Sequence, residues 1–300
     1  MQTPRILVTG ATGFVGHELC RRLLDKGMHV RAAIRGRPVL SEMLSPAVEQ
    51  FEVGNIDHAT NWSKALAAVD VVVHLAARVH VMHDHAADPL AEFQKVNLHA
   101  TVNLAMQAAS AGVKRFVYVS SIKVNGECTT SGLAFKESDS VQPQDPYAIS
   151  KWEAEQELQT IARNAGIEVV IVRPPLVYGP GVKANFARLL NLVDRGIPLP
   201  LGSVRNSRSL VYVGNLVDAL IACAVHPAAA GQTYLVSDGE DVSTPQLIRA
   251  VATALNRPSR VFPVPIALMR GTAKLIGKSA AVDRLTQSLV IDSSKICNEL

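Results

Sequence analysis

Tyr147 and Lys151 lie in the segment Asp145-Pro146-Tyr147-Ala148-Ile149-Ser150-Lys151, at a spacing that sets a phenol and an ammonium one turn apart on a single helix face. Asp145 supplies an N-cap acceptor and Pro146 a preset first helical residue. A cation beside a phenol favours phenolate, bringing a pKa of about 10 toward working pH, so Tyr147 is expected to exchange a proton with a carbinol or carbonyl. Ser120 and Ser121 close the apolar run from Arg115 and could polarise the same oxygen. A second signal opens the chain: Gly10-Ala11-Thr12-Gly13-Phe14-Val15-Gly16 follows the apolar Ile6-Leu7-Val8. A strand, a turn able to take positive φ and a helix start whose free N–H groups face outward make a seat for a pyrophosphate.

These residues need a frame to position them. Apolar runs of strand length fall near Arg5 to Thr9, His29 to Ile34, Val48 to Val53, Asp70 to Ala76, Arg115 to Ser120 and Glu168 to Arg173. Helical patterns fall between them near Gly13 to Lys26, Asn61 to Ala68, Pro89 to Ala111 and Pro146 to Asn164, while Arg37 to Pro46 is ambiguous. Such alternation predicts an α/β fold with a doubly wound parallel sheet, whose ligand sits beyond the carboxyl ends of the strands. After Pro174 the rhythm loosens, with helices near Ala184 to Arg195, Gly214 to Val225, Thr244 to Leu255 and Ile266 to Ile276 and short strands at Val211 to Val213 and Thr233 to Val236. This predicts a smaller, partly interleaved substrate lobe.

Composition excludes several classes. With 300 residues, 48% of them hydrophobic, the chain can bury a large core as one big or two modest domains. The formal charge of +4 is spread along the sequence without a run of like charges, so nucleic acid is not an implied partner. Cys20, Cys128, Cys223 and Cys297 are widely separated, which fits reduced thiols in a cytoplasm rather than disulfides or a zinc site. No signal peptide is read at the N-terminus, and the most apolar stretch, Leu210 to Val225, is broken by Asn215 and Asp218, so no membrane span is expected. His80, His83, Asp84 and His85 read as a polar loop, with no metal expected.

On these residues the chain resembles the short-chain dehydrogenase/reductase superfamily, in its extended branch acting on nucleotide sugars. The resemblance spans essentially the whole chain. Besides the glycine turn and Tyr147 with Lys151, it rests on His74-Leu75-Ala76-Ala77, Val96-Asn97, Tyr118-Val119-Ser120-Ser121 and Arg173-Pro174-Pro175-Leu176-Val177-Tyr178-Gly179-Pro180. It implies a Rossmann NAD(P)-binding domain over 1–174 and a mainly substrate-binding lobe over 175–300, with possible homodimers through the helices near Pro89 and Pro146. Tyr147 would be the acid/base, Lys151 would lower its pKa and hold the nicotinamide ribose, and Ser121, five residues before Gly126, would hydrogen-bond the reacting oxygen. Gly10, Thr12, Gly13, Phe14, Val15 and Gly16 would cradle the dinucleotide, with further contacts from Leu75, Ala76, Ala77, Asn97, Pro174 and Val177. After the third strand Asn55, with Ile56, stands where the family's adenine-binding aspartate would be.

Departures from the family pattern narrow the chemistry. Ile122 and Lys123 replace the acids that dehydratases and decarboxylating relatives need, and Lys123 could meet a substrate anion instead. Asn125 replaces a usual tyrosine. Arg208 matches the family arginine on the diphosphate, and Asn185 lies where relatives place an asparagine near it; Lys183, Arg188, Arg205 and Arg284 are weaker candidates. At the end of the second strand the chain has Arg35 and no acid, which favours NADP over NAD because a guanidinium accommodates a 2′-phosphate. The resulting expectation is reduction of a UDP-4-keto-sugar in surface polysaccharide synthesis. The alternative is a UDP-glucose or UDP-N-acetylhexosamine 4-epimerase with tightly held NAD, and a third reading is a non-catalytic dinucleotide sensor. The chain stops at Asn298-Glu299-Leu300, where relatives continue into a Gly-Trp segment, so a C-terminal truncation is also expected.

Overall fold

The computed structural model describes residues 3–36, 44–79, 87–130, 132–275, 277 and 279–300. Most of the ambiguous segment after Arg37, and all of His80, His83, Asp84 and His85, lie outside them. Strand β1 (Arg5–Thr9) is apolar on both faces because helices cover both sides of its sheet. It leads through the glycine turn into α1 (Phe14–Asp25), β2 (His29–Ile34) and β3 (Glu49–Glu52). The chain then crosses to β4 (Val71–His74), α2 (Pro89–Gln94), α3 (Ala100–Ser110), β5 (Arg115–Val119), α4 (Pro146–Ala165) and β6 (Glu168–Arg173).

After β6 come β7 (Leu176–Tyr178), α5 (Ala184–Asp194), β8 (Arg208–Tyr212), α6 (Val213–Val225), β9 (Thr233–Leu235), β10 (Asp241–Val242), α7 (Thr244–Ala254), α8 (Ile266–Leu275), α9 (Ser279–Thr286) and α10 (Ser294–Glu299). Seven strands form one parallel sheet in the order β3-β2-β1-β4-β5-β6-β9, and β10-β8-β7 form a small mixed one. The strand order reverses beside β1, so β1 and β4 flank the switch-point crevice in which such sheets bind ligands. This is the doubly wound α/β fold expected from the alternation.

One core packs α1 and α6 against the sheet, through residues such as Leu19, Leu23, Leu216 and Leu220. The other packs α3 and α4 on the opposite face, through Leu104, Ala108, Ala154 and Leu158. Late residues thus join the main body: β9 extends the large sheet and α6 covers it. A third cluster, around Val193, Leu201, Ile248 and Met269, holds α5, α7 and α8 together. No helix among the described residues is long and apolar enough to cross a membrane.

Two expected helices differ. No helix forms over residues 61–68, of which 63–68 are turns, because the buried Arg31 guanidinium takes their carbonyls, at 2.7 Å from Ala65 O and 2.9 Å from Ala67 O. The Asn61 side chain also captures the Ser63 amide at 3.0 Å, a local bond that competes with helix formation. The helix from Pro89 is interrupted by a π-helical turn, Lys95–His99, carrying Asn97. Val213 begins α6 instead of ending a strand, and the short β7 and β10 and the late α9 and α10 had no clear periodic signal.

Candidate active site

Gly10 has φ +67°, and a Cβ there would stand 2.9 Å from Ala76 N; at Gly16 it would stand 2.2 Å from Gly10 O. The turn therefore packs directly on Leu75 and Ala76, and only glycine fits at either position. Gly13 caps α1 without a side chain, leaving Phe14, Val15 and Gly16 as the first-turn amides that have no helical acceptor. Thr12 and Phe14 line the same turn, half-buried. Those amides and the bare backbone suit a diphosphate.

Beneath the turn, Thr9 and His74 are register partners on β1 and β4. Thr9 Oγ1 accepts from the Leu75 and Ala76 amides, both at 3.2 Å, so its own proton goes to His74 Nδ1 at 2.7 Å. That leaves the imidazole proton on Nε2, which donates to Thr101 Oγ1 at 3.0 Å, and Thr101 donates to Asn97 O at 2.8 Å. Burial, reinforced by the Lys151 charge, pushes His74 down to about 3, so the ring stays neutral and acts as a fixed strut. Asn97 accepts from Arg78 N at 2.8 Å and donates to Arg78 O and Ser150 Oγ. Its amide braces the loop after β4 against α4, so it organises the site through protein contacts.

The Asp145 carboxylate accepts from Ala148 N at 2.7 Å and caps α4, which presents Tyr147 and Lys151 toward the end of β5. The Tyr147 ring meets Phe93 edge-on at 6.0 Å. Burial pushes the phenol up to about 12, and the neighbouring Ser121 hydroxyl pulls it partly back. Lys151 is 2% exposed, its Nζ donates to Val119 O at 2.8 Å and it lies 4.3 Å over the Tyr118 ring. Burial pushes the ammonium down to about 7, with Glu155 pulling it up. Desolvation dominates both groups, and Lys151 is directed to a carbonyl and an aromatic face. Ser120 Oγ is buried with no hydrogen-bond partner among the described residues, an orphan hydroxyl beside Ser121 that a bound ribose or amide would satisfy. With the glycine cradle, it makes the site fit a nicotinamide dinucleotide.

Other expected contacts divide. Pro174 O accepts from Ile122 N at 3.0 Å, joining the loop that carries Ser121 to the end of β6, and Val177 follows on β7, packed against the main core. Lys123 is corrected from a substrate contact to a structural one: its ammonium pairs with Glu127 at 2.8 Å and with Asp145, tying the serine loop to the cap of α4. Asn55 is exposed after β3 with its carbonyl held by Thr60, and Ile56 packs on the core. Arg35 is exposed at the end of β2. The register pairs Ile34 with Glu52, and Glu52 Oε1 lies 3.7 Å from where a Gly36 Cβ would be. An acid does stand at this turn, then, contributed by β3, where reading β2 alone missed it.

On the lobe side, Arg208 donates to Arg284 O at 3.0 Å and Gln287 O at 3.2 Å, and burial holds its guanidinium below the ordinary arginine range. Asn185 is exposed near the start of α5. Phe186 is buried in a stack on Tyr178 at 5.8 Å, so its ring is already packed. Among the described residues no His, Cys, Asp and Glu cluster could hold a metal.

The chain matches the model of the NAD dependent epimerase/dehydratase family over residues 6–237. It is 50% identical over 291 residues to a UDP-glucose 4-epimerase of Vibrio cholerae, covering 96% of this chain and 87% of that protein. An N-acetyl-alpha-D-glucosaminyl-diphospho-ditrans,octacis-undecaprenol 4-epimerase of Escherichia coli O157:H7 is 30% identical over 289 residues, with 92% and 82% covered. The structure of a Thermus thermophilus UDP-glucose 4-epimerase in complex with NAD superposes with a TM-score of 0.79 at 25% identity, over 98% of this chain and 92% of that one. A match of this extent means that the chain belongs to the NAD dependent epimerase/dehydratase family.

Proposed function

We propose that the protein interconverts the C4 epimers of a UDP-hexose, UDP-glucose or a UDP-N-acetylhexosamine, with a tightly held nicotinamide dinucleotide. The observation that carries this reading is the 50% identity to a UDP-glucose 4-epimerase across 96% of the chain. It overturns the ketoreductase expectation, which rested on Arg35 alone. Tyr147, Ser121 and Lys151 are the residues proposed to carry the chemistry, a reading supported by the Ser121 hydroxyl beside the Tyr147 phenol.

The chemistry supplied by a bound dinucleotide is removal of the C4 hydrogen with its electron pair and its return to the opposite face. Tyr147, as its phenolate, accepts the C4 hydroxyl proton during oxidation and gives it back during reduction. Ser121 donates to the same oxygen, holding it in both directions. Lys151, poised near neutrality by burial, takes up the proton that Tyr147 gives up to become phenolate and returns it when the cycle closes. The test is incubation with UDP-glucose or UDP-N-acetylglucosamine and no added reduced dinucleotide. The galacto epimer is the expected product; its absence with both substrates, from protein that retains dinucleotide, would overturn the reading.

Arg208 is proposed to grip the diphosphate, contributing equally to ground and transition states. Arg208→Ala should therefore raise KM for the UDP-sugar by roughly ten- to a hundredfold, the worth of a charge-assisted pair, while kcat changes little. An unchanged KM removes it from the site. For the cofactor, exposed Arg35 supports NADP over NAD, and Glu52 opposes it. Arg35→Asp is expected to reverse the preference in titrations at one fixed salt concentration; equal affinities before and after substitution would leave Arg35 a surface cation. A cytoplasmic location and a homodimer through α2, α3 and α4 belong to the same proposal, supported by the four free cysteines and by the family resemblance.

A further inference from the structure

Helix α8 carries apolar residues on two faces. Met269 joins the cluster shared with α5 and α7, and Ala273 is buried one turn later. On another face Leu268 and Leu275, two turns apart and so one above the other, are 59% and 87% exposed. Phe262, just ahead of the helix, is 44% exposed. Single surface leucines need no explanation, but a helix apolar on both sides is ordinarily covered on both, and grouped exposed apolar residues mark an interaction surface. Charge narrows what covers this one. Helix α8 contains Arg270 and Lys274 and no acid. Across residues 244–286 seven arginines and lysines stand against one acid, Asp283, an excess of +6 in a chain whose total is +4. The basic residues are separated in sequence, so no run of like charges announces them. Arg270 Nε pairs with Asp283 at 3.3 Å and takes up that one carboxylate. Lys274 and, on α9, Arg284 are exposed with no carboxylate partner among the described residues.

We propose that this end of the lobe docks on the surface of an anionic lipid bilayer, with Leu268 and Leu275 entering the acyl boundary and Lys274 and Arg284 at the level of the headgroups. Of the surfaces that could cover it, a bilayer offers both an apolar layer and negative charge. A nucleic acid would meet the charge and leave the leucines in water, and a second copy would bring a like-charged face against this one. The contact lies on the membrane and does not span it: α8 has ten residues, against the roughly 20 that a span needs. The docking face is joined to the candidate site, because the Arg284 and Gln287 carbonyls, at and just past the end of α9, accept from Arg208 at 3.0 and 3.2 Å. Docking would therefore hold the proposed diphosphate site beside the bilayer.

Sedimentation of the intact chain with vesicles tests this without substrate, so the result stands apart from the epimerase reading. Mixed phosphatidylglycerol and phosphatidylcholine vesicles should carry the protein down at about 0.1 M salt, and less of it at about 0.5 M, where charges are more strongly screened. Vesicles of phosphatidylcholine alone should leave it in the supernatant. Leu268→Ser with Leu275→Ser should lower affinity for the anionic vesicles at least tenfold, since both side chains forfeit their burial. Lys274→Glu should lower it roughly tenfold, a basic residue near the surface being worth about fivefold and the new acid adding repulsion. All three positions are exposed, so the unfolding transitions should match wild type and a loss of binding reports on the surface itself. Wild type that stays in the supernatant with anionic vesicles, or a leucine variant that binds them as well as wild type, overturns the proposal. So does a wild-type dimer that the leucine substitutions dissociate in the absence of vesicle binding, which assigns the face to a second copy, or capture of a DNA duplex in place of vesicles, which assigns it to nucleic acid.

Discussion

Tyr147→Phe is expected to lose at least a hundredfold, and up to about ten-thousandfold, of turnover, the range that positioned acid/base catalysis supplies. The substitution removes one oxygen and little else. The ring keeps its edge-on contact with Phe93, the backbone carbonyl still accepts from Ser150 Oγ and the Asp145 cap is untouched. Dinucleotide affinity and the unfolding transition should therefore match wild type. The phenol is pushed up to about 12 by burial, so at neutral pH it starts protonated, ready to donate to a ketose oxygen. Oxidation of the alcohol requires the reverse transfer and so depends more on Lys151 shedding or sharing charge. Single-turnover measurements in both directions would show whether the substitution blocks both; near-normal turnover would remove Tyr147 from the mechanism.

The sequence made parts of this site legible because they depend on local spacing. Gly10, Gly13 and Gly16 follow an apolar run, and Tyr147 and Lys151 share a face whatever the tertiary packing. The doubly wound sheet was legible for the same reason, since strands buried on both faces read as continuous apolar runs. What stayed hidden was joined across the chain. Arg31 suppresses the expected helix at 61–68 by taking its carbonyls from another element. Glu52 reaches the cofactor turn from a neighbouring strand, and Lys123 finds its two carboxylates only once the serine loop folds against α4. Asn125 reads only as a departure from a usual tyrosine until Arg173 is placed against it. Desolvation of Tyr147 and Lys151 stayed hidden for a related reason: spacing reveals a neighbour, whereas burial, which dominates both groups, is a property of the whole fold.

Lys151→Met should be catalytically dead and yet more stable than wild type at neutral pH. The sign follows from linkage. Folding lowers the Lys151 pKa from an ordinary 10.5 to about 7, so below pH 7 the residue is charged in both states and the folded protein carries the full cost of a buried ammonium. Between about 7 and 10.5 the folded state gives up its proton first, and that cost fades as pH rises. At about 1.4 kcal/mol per unit the whole gap would amount to several kcal/mol, reduced by the hydrogen bond to Val119 O that methionine cannot make. A net gain of about 1 to 3 kcal/mol at pH 7 is expected, together with a flatter pH dependence above it and a loss of dinucleotide affinity. Urea unfolding of wild type and Lys151→Met at about pH 6, 7, 8.5 and 10 measures this directly. If the two proteins differ equally at every pH, Lys151 is not desolvated as the structure requires, and the charge-poising role assigned to it falls with that result.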